Sequence, residues 1–266
     1  MVKGGIDLKI CFIGDVVGES GRRAVKTILP DLKRTNGIDC CIINAENSAH
    51  GIGCSSKIIK ELTSYGCDCI TLGNHTFSKS GFTGEILRID NCVRPANITP
   101  PWPGRDYFIF EKDNERLGII NLLGQVSMND GADNPFIKGR ELCNKLKEMG
   151  VSSIFVDFHA EATSEKIAMG YYLDGLASCV AGTHTHVQTA DERILSSGTG
   201  YITDCGMCGA LDSVLGMDID CSISRLANKI PCRYEPALGP AYVCGIIFET
   251  DRNGKCISIR RFCEYE

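Results

Sequence analysis

The sequence lacks a long hydrophobic run. Its longest apolar stretches, such as residues 241–248, have the length of a strand and fall far below the ~20 residues that a membrane span requires. The first apolar run, residues 10–13, is too short for the core of a signal peptide and is followed by Gly14 and Asp15. We therefore expect a cytoplasmic protein with no membrane partner.

The sequence also lacks an excess of positive charge. Its 28 Lys and Arg against 33 Asp and Glu give a formal net charge of −5, so it has no general affinity for polyanions. A nucleic acid would need a local site. Repeats, low-complexity tracts and linkers are missing as well. A chain of 266 residues without such boundaries is long enough to bury a large α/β core, and we expect a single domain over residues 1–266.

Cysteine, in contrast, is abundant, with 16 residues. Many lie inside apolar, strand-like runs, where a reduced thiol behaves as a small buried hydrophobic group, and we interpret most of them as packing residues. Cys205 and Cys208 form a C-x-x-C pair, but no second pair stands at zinc-finger spacing and no thioredoxin-like context surrounds them. A redox protein that uses this pair is a minor alternative.

Apolar, β-rich runs repeatedly lead through polar loops into segments with helical periodicity. Helices are predicted near residues 22–29, 55–65, 82–89, 140–147 and 219–229, and Pro30 should end or kink the first of them. Asp113-Asn114 and Asn253-Gly254 predict hairpins. Early helical crossovers favour parallel pairing and the later hairpins antiparallel pairing, so the sequence predicts an α/β fold with one or two mixed sheets.

The polar residues at the strand ends are the most informative feature, because such loops form the ligand site of open α/β sheets. The candidate metal ligands there are Asp15, Glu46, Asn47, Asn74, His159, His184 and His186. Each has a structural explanation on its own, such as helix capping by Asp15. Five separate strand ends that all offer oxygen or imidazole favour a metal site. Strand alternation should point His184 and His186 to the same side.

Seven candidate ligands exceed the needs of one tetrahedral ion, and the carboxylate of Glu46 can bridge two ions. Two cations about 3.5–4 Å apart could each bind a phosphate oxygen and lower the pKa of a bridging water to give a hydroxide. His75 is not needed as a ligand, so it could donate a proton to the leaving oxygen. The alternative role for His75 is to orient Asn74.

The motifs "GDVVG", "NAEN", "GNHT", "DFHAEATSEK" and "GTHTHVQT" occur in the order that is typical of the calcineurin-like metallophosphoesterase superfamily, which the chain resembles. The longer motifs "FIGDVVG", "NAENSAHG", "ITLGNHTF", "VRPAN" and "YITDCGM" resemble the YmdB family of bacterial phosphodiesterases. The resemblance implies a four-layer α/β/β/α sandwich, a dinuclear iron or manganese centre, and hydrolysis of 2′,3′-cyclic nucleotides with His75 as proton donor. It assigns one ion to Asp15, Glu46, Asn47 and His186, and the other to Glu46, Asn74, His159 and His184.

The chain departs from the wider superfamily in its first motif, usually Asp-x-His, because Val16 and Val17 follow Asp15. A first position with more oxygen ligands should favour Fe or Mn over Zn. A phosphomonoesterase or protein phosphatase would use the same centre and stays an alternative. So does a non-catalytic metal protein with an RNA-processing partner, although such a site has no need of His75. A homo-oligomer is compatible with the resemblance.

Two residues outside the centre have open roles. Trp102 could stack on a nucleobase or anchor a surface loop. Arg94 could contact phosphate or form an ordinary salt bridge.

Overall fold

The computed structural model describes residues 8–128 and 131–266. The predicted absence of a signal peptide concerns residues that lie largely before this range. Among the helices described, none is both long enough and apolar enough to cross a membrane.

The first sheet is mixed and has eight strands. They are β1 (Leu8–Ile13), β2 (Asp15–Val16), β3 (Cys40–Asn44), β4 (Cys69–Thr71), β5 (Cys92–Val93), β12 (Met207–Ala210), β13 (Ala241–Thr250) and β14 (Cys256–Tyr265). The strand order is β2-β12-β13-β1-β3-β4-β5, with β14 also paired to β13. The early strands β1, β3, β4 and β5 are parallel, whereas β13 runs antiparallel to β1, β12 and β14.

The second sheet has six strands in the order β10-β11-β9-β8-β7-β6. They are β6 (Tyr107–Lys112), β7 (Glu115–Leu123), β8 (Ser153–His159), β9 (Cys179–Thr183), β10 (Arg193–Ile194) and β11 (Gly200–Ile202). The central strands pair in parallel, and the two edge strands β6 and β10 are antiparallel to their neighbours.

The described residues form six α-helices, α1 (Gly18–Asn36), α2 (Ser56–Ser64), α3 (Phe82–Glu85), α4 (Pro135–Glu148), α5 (Thr163–Tyr172) and α6 (Ile219–Ala227). Helices α1 to α5 pack on the outer faces of the two sheets. One apolar cluster joins α1 and α2 to the first sheet, another joins α4 and α5 to the second, and a third lies between the sheets. In that middle layer Phe12 and Phe155 from opposite sheets pack with ring centroids 4.7 Å apart. The predicted four-layer α/β/β/α sandwich with mixed sheets is confirmed.

Helix α1 does not end at Pro30, which was one of the two predicted outcomes, but continues to Asn36. Its apolar face, with Val25 and Leu29, is buried before the proline, and Leu32 continues that face after it. Burial of this face stabilises the helix across the one backbone hydrogen bond that a proline removes.

Both predicted hairpins are present. Asp113 and Asn114 have φ values of 51° and 70°, the left-handed conformation that a two-residue turn between β6 and β7 requires. Gly254 has a φ of 75° in the turn between β13 and β14.

The interpretation of most cysteines as packing residues agrees with the structure, since every free cysteine except Cys263 is buried. Cys205 and Cys208 are among the buried free thiols. A disulfide that joins Cys221 in α6 to Cys232 was not predicted.

Candidate metal centre

The strand ends converge at one edge of the sandwich. Asp15 begins β2, Glu46 follows β3 by two residues, Asn74 follows β4 by three, His159 ends β8, and His184 comes directly after β9. The first three come from one sheet and the two histidines from the other. The site therefore depends on the packing of both sheets against each other.

His159 is at the centre of this cluster. Its Nε2 atom lies 3.0 Å from Glu46 Oε1, 3.1 Å from Asn74 Oδ1 and 3.0 Å from His184 Nδ1. The ligand atoms that Glu46, His159 and His184 could offer to one ion all lie within 4.8 Å of one another. Glu161 Oε2 lies 3.2 Å from the other ring nitrogen of His184, Nε2, so the Nδ1 atom of His184 faces the centre.

The remaining predicted ligands, Asp15, Asn47 and His186, lie beside this cluster. Asp15 Oδ2 accepts a hydrogen bond of 3.0 Å from the backbone N–H of His184. The Oδ1 atoms of Asp15 and of Asn47 are buried and have no hydrogen-bond partner among the described residues. Such unpaired buried oxygens are costly unless a cation compensates them, so their chemistry fits a metal ion.

The electrostatics of the cluster also favour a cation. Burial by itself would raise the pKa of Glu46, but the charge of His159 and a hydrogen bond from it lower that pKa to about 2. Burial would lower the pKa of His159, but Glu46, Asp15 and Asp157 raise it to about 9. Because these carboxylates stabilise positive charge between them, they would stabilise a metal ion at the same place. Burial and the neighbouring His159 lower the pKa of His184 to about 3, which leaves its ring neutral and able to ligate.

His184 and His186 line the same cavity, but the predicted reason, strand alternation, is wrong because β9 ends at Thr183. Both histidines instead lie in a loop with φ values of 99° and 67°. Between them, the N–H and hydroxyl of Thr185 donate to Asp204 Oδ2 at 3.2 and 2.7 Å. The buried Lys166 donates to the same oxygen at 2.7 Å. A buried ion pair therefore holds this loop.

A cavity of about 230 Å³ opens onto the cluster. Its polar lining comes from Glu46, Asn47, His75, His184 and His186, and Leu215 and Met217 add apolar surface. The backbone N–H of His75 donates to Glu46 Oε2 at 3.1 Å, and its ring Nδ1 lies 3.4 Å from Ser78 Oγ. The His75 side chain therefore lines the cavity next to the predicted bridging carboxylate, without being one of the clustered ligands.

Comparison with known proteins places this geometry in a family. A family model described as "YmdB-like protein" matches residues 11–262. The chain belongs to the YmdB-like family. It is 45% identical, over 96% of both chains, to a 2′,3′-cyclic-nucleotide 2′-phosphodiesterase of Bacillus subtilis.

Solved structures agree with this membership. A phosphatase from Mycoplasma pneumoniae is 36% identical and superposes with a TM-score of 0.91, covering 98% of this chain and 95% of that one. The NAD nucleotidase of Haemophilus influenzae superposes with a TM-score of 0.61 over 97% of this chain and 56% of its own, and at 15% identity it shows a likeness of fold alone. The YmdB-like resemblance is thus confirmed, as is the prediction of an enzyme that hydrolyses phosphoric esters.

In this YmdB-like chain Arg94 is a structural residue. It is buried, and its guanidinium donates to the backbone carbonyls of Trp102 and Pro95 and pairs with Asp106. The salt-bridge interpretation is therefore right, and Arg94 is not available for phosphate. Trp102 packs edge-on against Phe77, with ring centroids 5.1 Å apart, which agrees with a loop anchor.

Five residues that support the ligands were not predicted from the sequence, namely Asp157, Thr183, Glu161, Lys166 and Asp204. Asp157 had a readable signal, since it is a carboxylate inside the apolar run of β8, two residues before His159. Gly73 was missed as well. A Cβ atom at Gly73 would overlap Glu46 Oε2 and lie 2.6 Å from His159 Nε2, so the two ligands can approach only because residue 73 has no side chain.

Proposed function

We propose that this YmdB-like chain is a dinuclear-metal phosphodiesterase that hydrolyses 2′,3′-cyclic nucleotides. The observation that carries the proposal is the convergence of carboxylate, amide and imidazole groups from five strand ends on one cluster, beside a cavity that His75 also lines. The name of the Bacillus subtilis relative supports the substrate class. The proposal extends to a single domain over residues 1–266 that acts in the cytoplasm on a small-molecule substrate.

In this proposal Asp15, Glu46, Asn47 and His186 hold one ion, and Glu46, Asn74, His159 and His184 hold the other. Oxygen donors dominate the first position, which favours iron or manganese over zinc. When bound, the two ions would bind phosphate oxygens and lower the pKa of a water between them.

The chain itself supplies the geometry and the proton. The backbone N–H of His75 donates to the Glu46 carboxylate. The backbone N–H of Glu46 in turn donates to Asn44 Oδ1 at 3.1 Å, so both ends of the residue are held. His75 lines the cavity, so its imidazole can reach the oxygen that leaves phosphorus. Protonation of that oxygen completes the cleavage of the P–O bond.

The test is a substrate panel with the purified chain, supplied separately with Mn²⁺ and Fe²⁺. It compares 2′,3′-cyclic nucleotides, 3′,5′-cyclic nucleotides, bis-aryl phosphates and phosphomonoesters. We expect the highest kcat/KM for a 2′,3′-cyclic nucleotide. A clear preference for monoesters would instead favour a phosphomonoesterase, the alternative supported by the name of the Mycoplasma pneumoniae phosphatase. Full metal loading without turnover on any ester would favour the non-catalytic regulator of RNA processing.

A further inference from the structure

Asp157 is a buried carboxylate that the proposed mechanism does not use. It lies in β8 two residues before His159, so both side chains point to the same face of the second sheet. It is fully buried, and three side chains donate to it. These are Thr183 to Oδ1 at 2.7 Å, and Thr71 and Asn44 to Oδ2 at 2.6 and 2.9 Å.

The contact through Thr183 fixes the proton on His159. Thr183 Oγ1 lies 2.9 Å from His159 Nδ1. A hydroxyl has one hydrogen, and Thr183 donates its hydrogen to Asp157, so it can only accept from His159. The Nδ1 atom must therefore carry a hydrogen. The Nε2 atom, which faces Glu46, Asn74 and His184, is then the one that can give up its proton and offer a lone pair to a metal ion.

The other oxygen of Asp157, Oδ2, accepts a hydrogen bond from Asn44 in the first sheet. Asn44 ends β3, and while its amide N–H donates to Asp157, its Oδ1 accepts from the backbone N–H of Glu46. One carboxylate thus orients an imidazole from the second sheet and, through Asn44, a carboxylate from the first. Both of these groups are ligands in the proposed centre.

We propose that Asp157 is a positioning residue that, through Thr183, holds His159 in the Nδ1–H tautomer needed for metal binding. The inference rests on the proposed metal centre and assigns no contact between Asp157 and substrate. Loss of comparable carboxylate support behind a metal-binding histidine costs roughly 10–100-fold in metal affinity.

Substitutions at Thr183 test the relay with little change in volume. Thr183→Val removes the hydroxyl and should weaken Mn²⁺ binding by roughly 10–100-fold. Thr183→Ser keeps the hydroxyl and should restore binding to within a few-fold of the native chain. Asp157→Asn should also weaken binding. Its amide can donate to Thr183, which would turn the hydroxyl toward Nδ1 and move the histidine hydrogen to Nε2.

Thr199→Val is the matched control. Thr199 is equally buried, lies directly before β11 in the same sheet, and donates to the Ala177 carbonyl at 2.6 Å, remote from the cluster. Its loss should lower the melting temperature of the metal-free protein and leave Mn²⁺ affinity unchanged. Free Mn²⁺ measured by electron paramagnetic resonance gives the affinity, and calorimetry of the metal-free variants gives the melting temperature.

The outcomes separate the inference from the proposed function. If Thr183→Val binds Mn²⁺ as tightly as the native chain, or if Thr183→Ser fails as badly as valine, the relay is wrong. An equal loss of affinity in Thr199→Val would reduce the effect to general stability and also overturn it. If the native chain binds Mn²⁺ and the Thr183 series behaves as expected without cyclic-nucleotide turnover, the positioning role stands and the proposed function fails.

Discussion

The two halves of the proposed centre are built differently. In the inner half, Asn74 and His184 both lie within hydrogen-bond distance of His159 Nε2, and the buried Thr183 supports His159 from its other ring nitrogen. In the outer half, Asp15 and Asn47 each keep a buried oxygen without a partner among the described residues. Among the described residues, the ring of His186 has one hydrogen-bond partner, the carbonyl of Leu215, which lies 3.2 Å from its Nδ1.

If the proposed centre holds two ions, this difference would give them two kinds of position. The inner half is organised by contacts within the protein, whereas the outer half presents oxygens whose needs only a cation or water can meet. We expect the inner ion to be held more tightly and the outer ion to exchange more readily. In the proposed ligand assignment Glu46 belongs to both halves.

The largest expected effect is the loss of turnover when His75, the proposed proton donor, is removed while both halves of the centre stay intact. His75→Ala should retain both metal ions and lose turnover by on the order of 10²–10⁴-fold, because the general acid is removed and the ligands are not. Steady-state kinetics with metal analysis of the same sample checks this. Unchanged turnover would remove His75 from the mechanism.

Glu46→Gln should weaken the inner and the outer half together, since in the proposal one bridging carboxylate serves both positions. Metal affinity should fall at both positions, by more than the roughly 10–100-fold that loss of a supporting contact costs, and the metal content should fall with it. Elemental analysis after dialysis measures it. Two full equivalents in the variant would show that Glu46 is not the bridge.

Gly73→Ala should damage the inner half by steric overlap. The added methyl group would overlap Glu46 and lie 2.6 Å from His159 Nε2, so these ligands must move apart. We expect Mn²⁺ affinity to fall by roughly 10–100-fold, as for other disturbances of ligand orientation.

The control for this change is Gly84→Ala in α3, where an added Cβ meets no described atom within 4 Å. That variant should bind Mn²⁺ normally. Equal affinity in the two variants would mean that the tight approach at Gly73 is unimportant.

The smallest effect is expected at Glu161, which supports His184 at 3.2 Å but is 50% exposed. Glu161→Ala should lower inner-site affinity by about tenfold or less, the low end of such supporting contacts. Titration with Mn²⁺ checks it, and Glu141→Ala on α4, which removes an exposed partner of Lys138, is the control. A loss as large as that of Gly73→Ala would contradict the ranking.

Much of the fold was predictable because its signals are local. The helical and hairpin patterns depend on periodicity and turn residues, and Asp113-Asn114 forms the turn that its sequence indicates. The ligand set could be proposed because polar residues at parallel strand ends meet at one edge of a sheet. Whether α1 ends at Pro30 or continues past it could not be decided from the sequence, since the outcome depends on burial against a sheet that forms from distant segments.

Apart from the signal at Asp157, the contacts of the supporting residues could not be predicted for the same reason. Asp157 and Thr183 meet only because β8 and β9 pair in parallel with His159 opposite Thr183. The Lys166–Asp204 pair joins residues that only the folded chain brings together. The backbone of His184 and His186 is set by that pair and not by strand geometry, so an alternation rule failed there.

The anchoring of Thr185 by Asp204 has a consequence for how cations would arrive. The loop that carries the imidazoles of His184 and His186 takes its shape from hydrogen bonds within the protein. Chelators should therefore remove the ions from a site that stays folded, unlike zinc fingers, whose fold is lost with their ion. Metal ions would then bind to a preformed site, and repeated cycles of metal removal and reloading should leave the protein folded.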